Sequence, residues 1–120
     1  MYGELQLNSL DLAHKLVSLA SDFQAEDIVL LDITEIFPFA DYFVILSVNS
    51  DRQAKAIQEE MISNLKKQKI NVYGVEGTTG SGWQLLDFKD VIVHIFRGVE
   101  RETYNLEELW IDAPRVVRVQ

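Results

Sequence analysis

The stretch that decides the fold is residues 42–65, YFVILSVNSDRQAKAIQEEMISNL. Its first seven residues, Tyr42 to Val48, are mostly apolar and β-branched or aromatic, which predicts a buried strand. Ser50 and Gln53 follow with the spacing of a capping box, a pattern that satisfies free backbone N–H groups at the start of a helix. Apolar residues then recur every three or four positions, so the strand is predicted to lead directly into an amphipathic helix.

The flanking segments extend this strand–helix unit in both directions. Upstream, the pattern predicts an amphipathic helix at about residues 9–23 and a buried strand at residues 28–33. Downstream, it predicts strands at residues 71–75, 83–88 and 91–97, then one or two short helical turns within 99–110. The resulting order, α-β-β-α-β-β-β-α, combines one crossover with two hairpins. We therefore expect a single α/β domain over residues 1–120, with a mixed five-stranded sheet flanked by helices, a core at about 10–114 and a loose tail at 115–120.

Composition narrows the class of protein. Of the 120 residues, 48% are hydrophobic and 25% are charged, which is enough apolar surface for one folded domain. The absence of cysteine excludes a disulfide framework and fits a reducing compartment. The first residues lack a signal-peptide pattern and no apolar run is long enough to cross a bilayer. We expect a soluble, cytoplasmic protein that has no contact with membranes.

The charge is strongly acidic and unevenly placed. The formal net charge is -8, and residues 1–60 contain eleven acidic but only three basic side chains. Such a surface repels phosphate backbones, so we expect little direct nucleic-acid contact. It would attract a basic protein. The alternative interpretation is that the charge only maintains solubility.

No motif indicates catalysis. The glycine-rich loop at residues 77–82 lacks the Lys-Ser/Thr ending of a P-loop, and a strand follows it where a helix would be needed, which favours a flexible connection. His94 shares a strand face with Ile92 and Phe96, as a packed histidine does, and His14 lies on a distant predicted helix. We therefore expect no catalytic residues, no metal site and no cofactor.

Trp83 is the most informative candidate for partner binding. Strand alternation places Trp83, Leu85 and Asp87 on one face, where an aromatic, an aliphatic and an acidic side chain suit a protein interface. Packing of Trp83 and Leu85 under a helix is the alternative. The segment at 100–110 also mixes charges with aromatics, and its apolar members fit a core, a clasp or an interface. The candidate partner-binding residues are Trp83, Leu85, Asp87, Arg101 and Tyr104.

Six stretches, in this order and spacing, resemble the RsfS/Iojap family of ribosomal silencing factors, over about residues 10–114. They are DIVLLD at 27–32, ADYFVI at 40–45, SDRQ at 50–53, GWQLLD at 82–87, DVIVHIF at 90–96 and RETYNLEELW at 101–110, with Glu76-Gly77 as a further match. One departure is Lys89, where the family often has a glycine, since lysine disfavours a positive φ.

The resemblance implies both a fold and a function. It implies a domain that looks like a nucleotidyltransferase core without the catalytic acids. It also implies binding to the large ribosomal subunit through large-subunit ribosomal protein number fourteen, a block on association with the small subunit, and repression of translation when nutrients are limiting. Two alternatives remain: a nucleotide-using enzyme of nucleotidyltransferase-like fold, and a self-assembling domain that buries Trp83 in a homodimer when free.

Overall fold

The computed structural model describes residues 8–77 and 79–120. Its elements, in chain order, are α1 Ser9–Asp22, β1 Glu26–Asp32, β2 Tyr42–Val48, α2 Asp51–Lys67, β3 Gly74–Glu76, a 3-10 turn Thr79–Ser81, β4 Trp83–Asp87, β5 Val91–Arg97, α3 Gly98–Tyr104, α4 Leu106–Leu109 and β6 Arg115–Val119. The expected single α/β domain with helices packed on a mixed sheet is confirmed.

The start of α2 shows how local sequence sets an element. The Ser50 side chain accepts the N–H of Gln53 at 3.1 Å, as the capping box predicts. The Gln53 side-chain oxygen in turn accepts the N–H of Asn49 at 2.8 Å, one residue earlier than in the standard box. The helix therefore begins directly behind β2, and its buried residues, Ala54, Ile57, Met61 and Leu65, repeat at helical spacing.

The sheet has the strand order β3-β4-β5-β2-β1-β6. The central pair, β2 and β5, is parallel, and every other pair is antiparallel. The first surface of this sheet packs against α1 and α2 and includes the buried residues Leu30, Leu46, Leu86 and Ile95. The second surface faces α3 and α4, and it holds a separate core cluster that includes Val29, Ile45 and Phe96.

The expected number of strands and the expected loose tail were both wrong. The sheet has six strands, because residues 115–119 form β6 along the outer edge of β1. Val117 lies opposite Leu30 and packs partly against the first core cluster. Arg118 Nη2 lies 2.7 Å from Asp27 Oδ1 at the start of β1. The tail is held because the outer edge of β1 has unpaired backbone N–H and C=O groups, which β6 satisfies. The residue pattern of the tail itself gives no indication that such an edge is available.

In the ranges that the structure describes, no helix combines the length and the apolar character needed to cross a membrane.

Candidate partner-binding face

The second surface of the sheet is only partly covered. Along β4, the side chains of Gln84 and Leu86 are buried on the first surface, whereas Trp83, Leu85 and Asp87 are half-buried on the second. Cross-strand pairing places Ile92 of β5 beside Asp87, and Glu76 of β3 beside Leu85. We call these five side chains the Trp83 face. Because the residues of β4 that point to this side stay partly exposed, the Trp83 face is accessible to a partner.

Trp83 belongs partly to the core and partly to the surface. Its indole stacks on Phe96, with ring centroids 5.0 Å apart and planes at 28°, and its centroid lies 4.7 Å from that of Tyr104. Its Nε1–H donates to Nδ1 of His94 at 3.2 Å. These contacts hold the half-buried ring in one orientation, so it has little side-chain freedom left to lose in any further contact.

The glycine-rich loop fixes the start of β4. The Ser81 hydroxyl donates to the carbonyl oxygen of Trp83 at 2.8 Å. Gly82 has φ +80°, and a Cβ there would lie 2.5 Å from the Glu100 side chain, so a larger residue would collide. The loop folds into a 3-10 turn that positions Trp83, which replaces the expectation of a merely flexible connection.

His94 is the buried partner of Trp83. Burial lowers the pKa of His94 to about 4, so the imidazole is neutral at pH 7. Since Nδ1 accepts the indole N–H, the proton of the neutral ring lies on Nε2. The expectation that His94 is a packed, hydrogen-bonded residue is confirmed. Among the described residues, no group of three or more His, Cys, Asp or Glu side chains could hold a metal ion.

Tyr104 and Asp87 differ in how freely they can contact a partner. Tyr104 is 50% exposed and packs beside Trp83. Asp87 Oδ1 accepts the backbone N–H of Lys89 at 2.7 Å, and Lys89 has φ 78°. Asp87 therefore stabilises the left-handed conformation that lysine disfavours. At least one of its carboxylate oxygens is already hydrogen-bonded within the β4–β5 turn, so Asp87 is less free than Tyr104 to contact a partner. Lysine at this position has not prevented a tight turn.

Arg101 does not join the Trp83 face. It is only 6% exposed, and its guanidinium donates to Ser47 Oγ and to Glu107 Oε1, both at 2.8 Å. Burial alone would raise the pKa of Glu107, but the hydrogen bond and charge of Arg101 outweigh it and the net shift is downward. Arg101 also lies 3.7 Å from Asp27, so it joins α3 to β1, β2 and α4. These contacts place Arg101 in the interior of the protein, whereas the sequence had suggested that it contacts a partner.

Two features of this surface were not predicted from the sequence. Glu76 joins the face only through its register with Leu85, which no local pattern encodes. In addition, an aromatic row continues from His94 to Phe43, Trp110, Phe37 and Phe39, with successive ring centroids 4.8 to 5.6 Å apart. Phe39, at the end of this row, is 77% exposed. In the sequence, the only indication of this aromatic row is the cluster of aromatic residues at 37–43.

An α/β domain that gathers partly exposed aromatic and aliphatic side chains on one open sheet surface has the features of a protein-binding module. Comparison with known families is consistent with this class. The family model described as "Ribosomal silencing factor during starvation", RsfS, matches residues 6–120. The chain belongs to this family, whose name places it among regulators of translation.

Individual relatives agree with the family match. The ribosomal silencing factor RsfS of Bacillus subtilis is 46% identical over 93 residues, which cover 78% of this chain and 79% of that protein. A crystal structure of a Bacillus halodurans protein superposes with a TM-score of 0.78 at 36% identity, covering 90% of this chain and 98% of that one. The mouse protein named "Mitochondrial assembly of ribosomal large subunit protein 1" is 34% identical, covering 79% of this chain and 43% of that protein.

Proposed function

We propose that this chain binds the large ribosomal subunit through ribosomal protein number fourteen and keeps the small subunit from joining. The observation that carries the proposal is the Trp83 face, where a half-exposed indole is held rigidly among Phe96, Tyr104 and His94. Rigid, partly exposed tryptophans are frequent energetic anchors of protein interfaces. Leu85 and Tyr104 extend the contact around this anchor, and Asp87 adds charge at the turn.

The charge of the chain supports a basic protein as the partner. With a net charge of -8, the chain is repelled by ribosomal RNA, and docking on a basic ribosomal protein avoids direct nucleic-acid contact. The name of the mouse relative refers to the large ribosomal subunit, which supports the choice of subunit. If the chain acts in a bacterial cell, as its Bacillus subtilis relative does, a ribosome-bound role places it in the cytoplasm.

Steric exclusion is the proposed mechanism. The domain measures 45 × 32 × 24 Å, with a radius of gyration of 13.5 Å. A rigid body of this size on the joining surface would prevent close approach of the small subunit without any chemical step. Inhibition should therefore be stoichiometric and reversible, and at about a hundred times its Kd the factor should disfavour joining roughly a hundred-fold.

The competing proposal is a nucleotide-using enzyme of nucleotidyltransferase-like fold. We infer that any likeness to nucleotidyltransferases concerns the fold and that the chain has no catalytic role. This is supported by the burial of His94, which is only 4% exposed, and by the hydrogen bond of the Ser81 hydroxyl to the Trp83 carbonyl oxygen. A thermal-shift scan with ATP and magnesium separates the two proposals, because a nucleotide-using enzyme is stabilised by its substrate and a silencing factor is not.

The decisive experiment measures subunit joining by light scattering while the chain is titrated. Wild type should inhibit with a plateau at about one copy per large subunit, and inhibition should vanish after the chain is washed away. Trp83→Ala should weaken binding to the ribosomal protein by ~2–4 kcal/mol, or roughly thirty- to a thousand-fold. Inhibition by far fewer copies than subunits would indicate catalysis and refute the steric mechanism.

The controls separate binding from folding. Tyr104→Ala tests the surface next to the Trp83 face with less risk to the core, since this ring packs beside Trp83 and is 50% exposed. Phe23→Ala removes a 37% exposed aromatic at the end of α1, on the far side of the sheet, and should silence as wild type does. A folded Trp83→Ala that binds normally would exclude the proposed anchor. Sizing of the free chain tests whether the same face forms a homodimer, which the partner would then have to displace.

A further inference from the structure

A concavity of about 250 Å3 lies beside the exposed part of Trp83. It is lined by Glu76, Gly77, Trp83 and Leu85. Pockets for drug-sized ligands occupy roughly 300–1,000 Å3. The smaller size and the open shape of this concavity fit a single side chain from a docked protein rather than a free cofactor.

The walls of the concavity differ in chemistry. The indole of Trp83 and the side chain of Leu85 form an apolar wall, and the carboxylate of Glu76 provides one negative charge. Glu76 is exposed, and within the described ranges its carboxylate forms no hydrogen bond or ion pair. The charge is therefore available to an incoming group.

Glu76 and Trp83 lie on the same side of the sheet and line the same concavity. Glu76 is opposite Leu85 in the β3–β4 pair, so its position is set by the sheet. Gly77 then turns with φ +87°, and a Cβ at this position would lie 2.2 Å from the Trp83 carbonyl oxygen. Only glycine allows this close approach of the two backbone segments beside the concavity.

We infer that this concavity receives one arginine side chain of the basic partner protein, which deepens the proposed function and rests on it. The negative face of an indole attracts a cation, and a neighbouring carboxylate forms a charge-assisted hydrogen bond with it. A planar guanidinium can stack on the ring while its N–H groups reach the carboxylate, whereas an ammonium group is a compact, strongly hydrated point charge. An arginine thus uses the apolar wall and the acid together.

Two cations, one on β5 and one in the β4–β5 turn, contact groups other than Glu76. Arg97 pairs with Glu100 at 3.2 Å and with Asp51 at 3.6 Å. The ammonium of Lys89 lies 5.8 Å from the ring centroid of Tyr73. Neither is paired with Glu76 and neither lines the concavity, so its carboxylate is open to a cation from a partner.

The test compares Glu76→Gln with Glu59→Gln, using purified ribosomal protein number fourteen as the probe. Both variants remove one negative charge from an exposed residue, but Glu59 lies on α2, on the opposite side of the sheet. Loss of a specific contact accelerates dissociation, whereas loss of general attraction slows association. We expect Glu76→Gln to raise koff on the order of ten-fold, and Glu59→Gln to leave koff within about two-fold of wild type.

A second arm identifies the partner group. Surface arginines of the ribosomal protein are changed to lysine one at a time, and each change is combined with Glu76→Gln. For one arginine, the change to lysine should weaken binding of the ribosomal protein to the wild-type chain. The same change should weaken binding to Glu76→Gln very little further, because the arginine and Glu76 share one interaction. Equal koff values for wild type and Glu76→Gln, or no coupled arginine, overturn the inference while binding itself persists. Failure of the wild-type chain to bind overturns the proposed function as well, so the two failures are distinguishable.

Discussion

Replacing Arg101 by methionine should destabilise the fold without removing a partner contact. The guanidinium makes two hydrogen bonds of 2.8 Å, to Glu107 and to Ser47, and the Arg101 side chain is 7% exposed. Arg101→Met leaves the carboxylate of Glu107 unpaired with only 16% of its side chain exposed. Breaking a buried ion pair from one side typically costs ~3–5 kcal/mol. Because Glu107 keeps some access to water, we expect a loss of ~3 kcal/mol, well short of the roughly 5–15 kcal/mol that stabilises a typical domain.

Urea unfolding followed by circular dichroism measures this loss directly. The double variant Arg101→Met, Glu107→Gln should be less destabilised than the two single changes added together, by about 1–2 kcal/mol, since the unpaired charge is gone. Folded Arg101→Met should bind the ribosomal protein with the wild-type Kd. A variant of wild-type stability that no longer binds would refute this reasoning and return Arg101 to the interface.

Two further predictions concern protons and salt. Burial lowers the pKa of His94 to about 4 from 6.5, so as pH falls through this window the unfolded chain takes up the proton first and stability decreases, by up to ~3 kcal/mol. His94→Gln should therefore show a weaker loss of thermal stability between pH 7 and about 4.5. A slope equal to that of wild type would exclude His94 as the cause. Association with the basic partner should slow as the salt concentration rises, because salt screens the attraction between opposite charges beyond about 8 Å at physiological ionic strength. Stopped-flow mixing measures this association rate. A rate that does not change with salt would mean that the net charge of -8 serves solubility alone.

Local patterns determined most of the fold. The apolar run of β2, the Ser50 cap and the helical spacing in α2 each depend on neighbours within a few residues, and all three agree with the structure. The alternation that places Trp83 and Leu85 on one side of β4 is equally local, because successive side chains of any strand point to opposite faces. The sequence alone therefore placed Trp83, Leu85 and Asp87 on one side of β4, the side on which the structure leaves them half-buried.

Only the tertiary structure decided which of the candidate side chains are exposed and which are buried. Arg101 is buried because Ser47 and Asp27, distant in sequence, converge on it when β1 and β2 pair. The tail becomes a strand because the free edge of β1 lies beside it, and Glu76 lies beside Leu85 only through the register of β3 on β4. Each of these outcomes depends on backbone pairing between segments far apart in the chain. Local propensity does not specify such pairing, because the hydrogen-bonding groups of every strand edge are chemically alike.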